Sequence, residues 1–189
     1  MFYLSNVIKS LLVSLLLLTV AYANATNSIK STSPVNSTNQ QWQKQQWQKV
    51  GEAQLSILFW DIYLAKLFTP NGTFDQIQGP LKLEINYKID ISKQDLVEET
   101  ENQWQQMAFD HPNSESWLNA LSSIFPDIKD GDTLAVELTA ENQGILYHNQ
   151  QQIHQFPASV QLQQFLAIWL SDKSTRPKLM AKLTGQKRK

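Results

Sequence analysis

Leu58-Phe59-Trp60-Asp61-Ile62-Tyr63-Leu64 lies inside a long strand-like run from Trp47 to Thr69, and the reading of this run sets the fold. Before it, Leu55, Ile57 and Phe59 alternate with Gln54, Ser56 and Leu58. After it, Ile62, Leu64, Leu67 and Phe68 keep the chain apolar as far as the turn Pro70-Asn71-Gly72. A period of two places alternate side chains on opposite faces of a sheet. Asp61 interrupts the run and marks a bulge or bend. A second strand is clearer: Leu81, Leu83, Ile85 and Tyr87 alternate with Lys82, Glu84, Asn86 and Lys88, the pattern of a half-buried strand.

Working outward, the period changes to that of a helix. Ser92 is placed to cap a helix whose positive N-terminus suits Asp95, and Leu96, Thr100, Trp104 and Met107 share one face. A second helix starts near Ser114, with Trp117, Leu118, Leu121 and Phe125 as its apolar stripe. Asp130-Gly131-Asp132 turns into a strand at Leu134, Val136 and Leu138. Gly144 to His148 and Gln151 to Gln155 form a hairpin through Asn149-Gln150, a turn without the usual glycine. A helix from Pro157 points Val160, Leu162, Phe165, Leu166 and Trp169 inward, and a short last helix begins at Thr175-Arg176-Pro177. Strands, two helices, strands and helices predict an α+β domain, a large antiparallel β-sheet layered with α-helices mainly on one face.

The N-terminus reads as a signal peptide over 1–25. Lys9 precedes the apolar run Leu11 to Val20, and Ala23-Asn24-Ala25 is a small-residue cleavage site. The run is shorter than the ~20 apolar residues a membrane span needs. Residues 26–41, rich in Ser, Thr, Asn and Gln, read as a disordered polar linker, which leaves 42–189 as a single domain. Cleavage removes one charged residue, Lys9, from a chain with 16 basic and 17 acidic residues, so the mature protein carries a net charge of −2. That balance gives no footprint for nucleic acid. The chain has no cysteine, hence no disulfide, thiolate metal site or lipid-anchored cysteine. The expectation is a soluble, exported protein.

The ordered set Phe59-Trp60-Asp61-Ile62-Tyr63, the strand with Tyr87, two helices, Gly131-Asp132, Tyr147-His148-Asn149 and Ile168-Trp169-Leu170-Ser171 spans roughly Val50 to Leu183. It resembles the bacterial, exported branch of the chalcone isomerase-like proteins. The resemblance implies the chalcone isomerase fold, with ligands in the cleft between sheet and helices, and a periplasmic location. Plant members of that fold cyclise a chalcone to a flavanone, and related plastid proteins bind fatty acids in the same cleft. Both activities depend on an arginine on the strand before the Phe…Tyr segment. A guanidinium meets an enolate-like charge or a carboxylate with charge-assisted hydrogen bonds. Here the matching position falls near Gln46, and the threonine of the plant site falls near Leu58. No arginine or threonine occurs from Gln40 to Tyr63; the two arginines are Arg176 and Arg188, and Lys44 and Lys49 lack the planar fork.

The remaining chemistry is sparse. His111, His148 and His154 have no metal-ligand spacing, although His148 and His154 fall on neighbouring strands of the hairpin. No nucleophile elbow, phosphate loop or paired carboxylate motif is present. We therefore expect no catalytic residue, no metal and no cofactor. The residues expected to line a ligand cleft are Trp60, Asp61, Tyr63 and Trp104. Three readings follow. The first is a periplasmic, non-catalytic protein binding a small apolar, amphipathic or lipid-like ligand. The second is an envelope interaction protein with a closed cleft and an unidentified protein partner. The third is an isomerase or lyase of changed chemistry, using Tyr63, Tyr87, Tyr147 or a histidine as acid.

Overall fold

A computed structural model describes residues 46–186. The expected leader 1–25, the linker 26–41, Trp42 and the terminal Lys187-Arg188-Lys189 lie outside the described residues. The alternation at Leu81–Tyr87 becomes β3, near the middle of a six-stranded sheet. The strands are β1 (Gln48–Ile57), β2 (Trp60–Thr69), β3 (Leu81–Tyr87), β4 (Thr133–Leu138), β5 (Gly144–His148) and β6 (Gln151–Phe156). They lie side by side in chain order, each antiparallel to the next. The helices are α1 (Lys93–Gln106), α2 (Ser114–Ile124), α3 (Val160–Leu170) and α4 (Pro177–Leu183). The α+β architecture is that expected from the order of elements. Among the described residues no helix is long and apolar enough to cross a membrane.

Register explains which face is buried. Leu67, Leu83, Val136 and Leu146 pair in one row across β2 to β5, and all are buried. Leu162 and Leu166 of α3 and Leu183 of α4 complete that core. Burying each such side chain contributes about 1.5–3 kcal/mol. The other face carries Lys66 opposite Glu84 and Lys82 opposite Glu137.

Local chemistry sets the helix ends. The Ser92 hydroxyl accepts the Asp95 backbone N–H at 3.1 Å and caps α1. Ser159 does the same for α3, accepting from Leu162 N at 3.2 Å. The helix expected from Pro157 therefore begins later, and Val160, expected inward, is half exposed. The reason is positional: Val160 is the first helical residue, ahead of the turn that meets the core. Gly51 brings β1 against the end of α4, where a Cβ would stand 2.3 Å from the Lys182 carbonyl oxygen. The Asn149-Gln150 loop works without glycine, both residues taking positive φ. Asn149 anchors it, donating to Asp132 Oδ1 at 2.7 Å and accepting from Thr133 N at 2.9 Å.

A further expectation is corrected. The run Trp47 to Thr69 is not one bent strand but the hairpin of β1 and β2, turning at Leu58-Phe59. The irregularity expected at Asp61 is real: Leu55 pairs with Tyr63 and Ser56 with Asp61, so Ile62 is the extra residue of a bulge.

Candidate functional site

The helix-facing side of the sheet carries a row of aromatic rings. Tyr63 and Tyr87 are register partners on β2 and β3, edge to face at 6.1 Å between ring centres. Trp169 of α3 donates its indole N–H to the Tyr63 hydroxyl at 3.0 Å. Phe165, one turn back, lies 5.4 Å from Trp169 and 5.7 Å from Trp117 of α2. Trp117 stacks on Trp104 of α1 at 5.3 Å, with planes 28° apart. Each aromatic pair at such separations adds about 0.5–1.5 kcal/mol beyond area burial.

The ends of the row are polar. Trp104 is 2% exposed, yet its Nε1 has no acceptor among the described residues. Leaving a buried donor unpaired costs about 1–3 kcal/mol, so an acceptor placed there would be stabilising. At the other end, burial pushes the Tyr63 hydroxyl up to about 12, although the Trp169 N–H and the Arg176 guanidinium both act to lower it and Glu99 to raise it. Arg176 is partly buried at the start of α4. The segment before α4 is pinned by Ser174, which donates to the Ile168 carbonyl at 2.6 Å and accepts from Arg176 N at 3.3 Å. The Thr175 hydroxyl donates to Gln103 of α1, whose amide donates to Glu99 at 2.8 Å. A phenol near 12 keeps its proton at neutral pH. It suits orientation of a ligand rather than proton abstraction.

The rings of the row touch one another in sequence from Tyr63 to Trp104. Two concavities among the described residues open on the surface. One of about 420 Å³ runs along α3 past Ile77, Phe109, Val160 and Gln164, and another of about 330 Å³ lies beside Lys178 and Lys182 of α4.

Residues 34–185 match the family described as chalcone isomerase-like. The chain belongs to the chalcone isomerase-like family. An uncharacterised protein of Haemophilus influenzae is 26% identical over 140 residues, covering 74% of this chain and 69% of its own. Among solved structures, a fatty-acid binding protein of Arabidopsis thaliana aligns with a TM-score of 0.51 at 10% identity, over 73% of this chain and 86% of its own. At that identity the likeness shows the fold.

Within this chalcone isomerase-like protein the four residues expected at a cleft separate into two groups. Tyr63 and Trp104 lie at opposite ends of the aromatic row, linked through Trp169, Phe165 and Trp117. Trp60 and Asp61 lie on the exposed end of the hairpin, where Asp61 accepts from the Ser56 hydroxyl at 2.7 Å. Gln46 is exposed ahead of β1, and Leu58 is in the exposed loop. Arg176, at the start of α4, is the cation whose charge acts to lower the Tyr63 hydroxyl. Its position directly before a helix-starting proline is the one sequence signal that it is held.

The histidines do not converge. His148 Nε2 lies 3.1 Å from Asp132, His154 packs 4.6 Å from the Phe156 ring, and His111 meets the Gln161 amide at 2.6 Å. Asp132 is held down at about 2, first by the Asn149 amide and then by the Lys129 backbone N–H and His148. This network ties the Gly131-Asp132 turn to the β5–β6 loop, a structural task. No group of three potential metal ligands occurs among the described residues.

Proposed function

We propose that this is an exported, periplasmic, non-catalytic protein that takes a small apolar or amphipathic ligand between the sheet and the helices. The observation that carries the reading is the aromatic row itself: an apolar body with an unpaired indole N–H at one end and Tyr63, Trp169 and Arg176 at the other. Ligand sites are commonly of this kind, mostly apolar with a few orienting polar groups. The fold shared with a protein named for fatty-acid binding supports it, and the leader read over 1–25 supports export. On this reading the ligand reaches the row past α2 and Trp117. This helix has no side-chain cap bond and buries only Leu118 and Leu121 fully.

The test is native mass spectrometry of the mature protein from its own envelope, with extraction of any bound molecule, followed by titration with anilinonaphthalene sulfonate. Arg176→Gln is expected to weaken binding of the anionic probe by about tenfold, the scale of one lost charged hydrogen bond. An empty protein that also fails to bind the probe overturns the reading. It would favour the second one, an interaction protein of the envelope.

A further inference from the structure

The β1–β2 hairpin outruns the rest of the sheet. β3 pairs with β2 only as far as Tyr63, with one further backbone bond from Lys88 N to Ile62 O. The rungs Ser56 with Asp61 and Ile57 with Trp60, and the loop Leu58-Phe59 beyond them, stand clear of a third strand. At about 3.3 Å per residue the tip projects roughly 7–10 Å. It ends in three consecutive exposed apolar side chains, Leu58 at 80%, Phe59 at 98% and Trp60 at 67%. A single exposed apolar residue needs no explanation, but a contiguous cluster on a projecting point does.

Turn geometry does not account for these residues. Leu58 takes φ +56°, and a residue other than glycine or asparagine there carries strain on the order of 1 kcal/mol. Among the described residues, the other two-residue hairpin loop also opens at positive φ, with Asn149 at +49°. Leucine at position 58 is thus disfavoured by backbone and by exposure alike, which points to a use outside the fold.

The distribution of charge indicates the medium. Ser56 to Trp60 carries no charge, and Asp61, bonded to Ser56 at 2.7 Å, is the first one met from the tip. The uncharged depth is therefore roughly 7 Å, comparable with the ~5–10 Å that apolar elements reach into a bilayer interface. Trp60 lies at the base, where indole rings favour the headgroup level, and Leu58 and Phe59 lie deeper. Beyond the Trp60 indole the tip offers no side-chain hydrogen-bonding group, unlike the polar-rimmed patches of protein interfaces. Among the described residues, the charged groups at this end of the sheet include Asp61, Asp90, Asp130 and Asp132 against Lys88 and Lys129, with Arg176 acting on Tyr63 from α4, so anionic headgroups meet no cationic excess there.

We propose that the Leu58-Phe59-Trp60 tip is a reversible bilayer anchor that inserts into the interface of zwitterionic lipid. It goes beyond the ligand reading and does not depend on it. The experiment is flotation of the full mature chain with phosphatidylcholine vesicles, comparing wild type with Leu58→Asn/Phe59→Ser. The wild type is expected to float with the vesicles, and the double variant to partition at least about tenfold less, the scale of one buried large apolar side chain. Its melting temperature is expected to be equal or higher, because asparagine relieves the strain at position 58. Brominated acyl chains quench the part of the emission that Trp60→Phe removes, and anionic lipid brings no gain in flotation. The proposal fails if the wild type stays with the buffer, if the double variant floats equally well, or if flotation requires anionic lipid. It also fails if the tip instead drives self-association or cross-links to a protein partner without vesicle binding.

Discussion

Trp104→Phe isolates the unpaired indole nitrogen. Trp104 is buried and stacked on Trp117, with no acceptor for its Nε1 among the described residues. Replacing indole by phenyl removes the equivalent of two or three methylenes from a packed site, at about 0.8 kcal/mol each, a loss of about 2 kcal/mol. It also removes a buried donor whose isolation costs about 1–3 kcal/mol. The two terms oppose, so the net change is expected within about 1 kcal/mol of zero. Trp104→Ala has no such compensation and is expected to cost about 3–5 kcal/mol. Urea denaturation followed by far-ultraviolet circular dichroism measures both, read as a midpoint shift at unchanged slope. A loss well above about 2 kcal/mol for Trp104→Phe in ligand-stripped protein refutes the reasoning, because the nitrogen must then have a partner in solution. If the extra loss appears only in protein as purified, the partner is a bound ligand.

Two further outcomes are expected. Gly51→Ala puts a Cβ 2.3 Å from the Lys182 oxygen and 2.6 Å from the Leu183 oxygen, both backbone atoms of α4. It should cost about 2 kcal/mol or more and expose α4 to limited proteolysis at Lys178 and Lys182; an unchanged melt would mean that α4 is not seated on β1. Tyr63 titrates at about 12 in the fold, pushed up by burial, against about 10 when unfolded. Burial favours the neutral phenol, so its contribution is fully present below pH ~10 and is lost as pH rises towards ~12, amounting to about 2–3 kcal/mol. Urea midpoints from neutral to alkaline pH should show that loss shrinking in Tyr63→Phe, and parallel decline of the two proteins would count against a buried phenol.

Where chain chemistry was local, the sequence was legible. The alternation of Leu81 to Tyr87 and the Ser92 cap gave β3 and the start of α1 because period and capping are properties of a few adjacent residues. The order of elements gave the layered α+β fold. The hairpin at Leu58-Phe59 was hidden because it carries none of the residues that announce a turn: leucine and phenylalanine continue the apolar run through the loop. The sequence could also place Trp104, Trp117 and Trp169 on helices without showing which rings meet, since those meetings depend on how three helices cross one sheet. Arg176 was illegible for the same reason. Its effect on Tyr63 depends on how α4 packs against the sheet, not on any spacing along the chain.

The position of Arg176 changes what the missing strand arginine means. A cation on the sheet would hold a ligand's charged head against β1. On the proposed ligand reading, a cation at the start of α4 would instead hold it on the side of Tyr63 and Trp169, with the apolar part directed along Phe165 and Trp117 towards Trp104. On that reading, the absence of arginine from residues 40–63 would still leave the protein a means to orient an amphiphile. Tyr63 also lies only three residues along β2 from Trp60, so the polar end of the row and the projecting tip share one end of the sheet. A tip seated in a bilayer would hold that end roughly 10 Å from the headgroups. The two proposals then separate cleanly. Tip variants should lose vesicle binding and keep the probe affinity of the interior, whereas Arg176→Gln should lose probe affinity and still float; coupled loss of both in either variant would mean that tip and interior form one site.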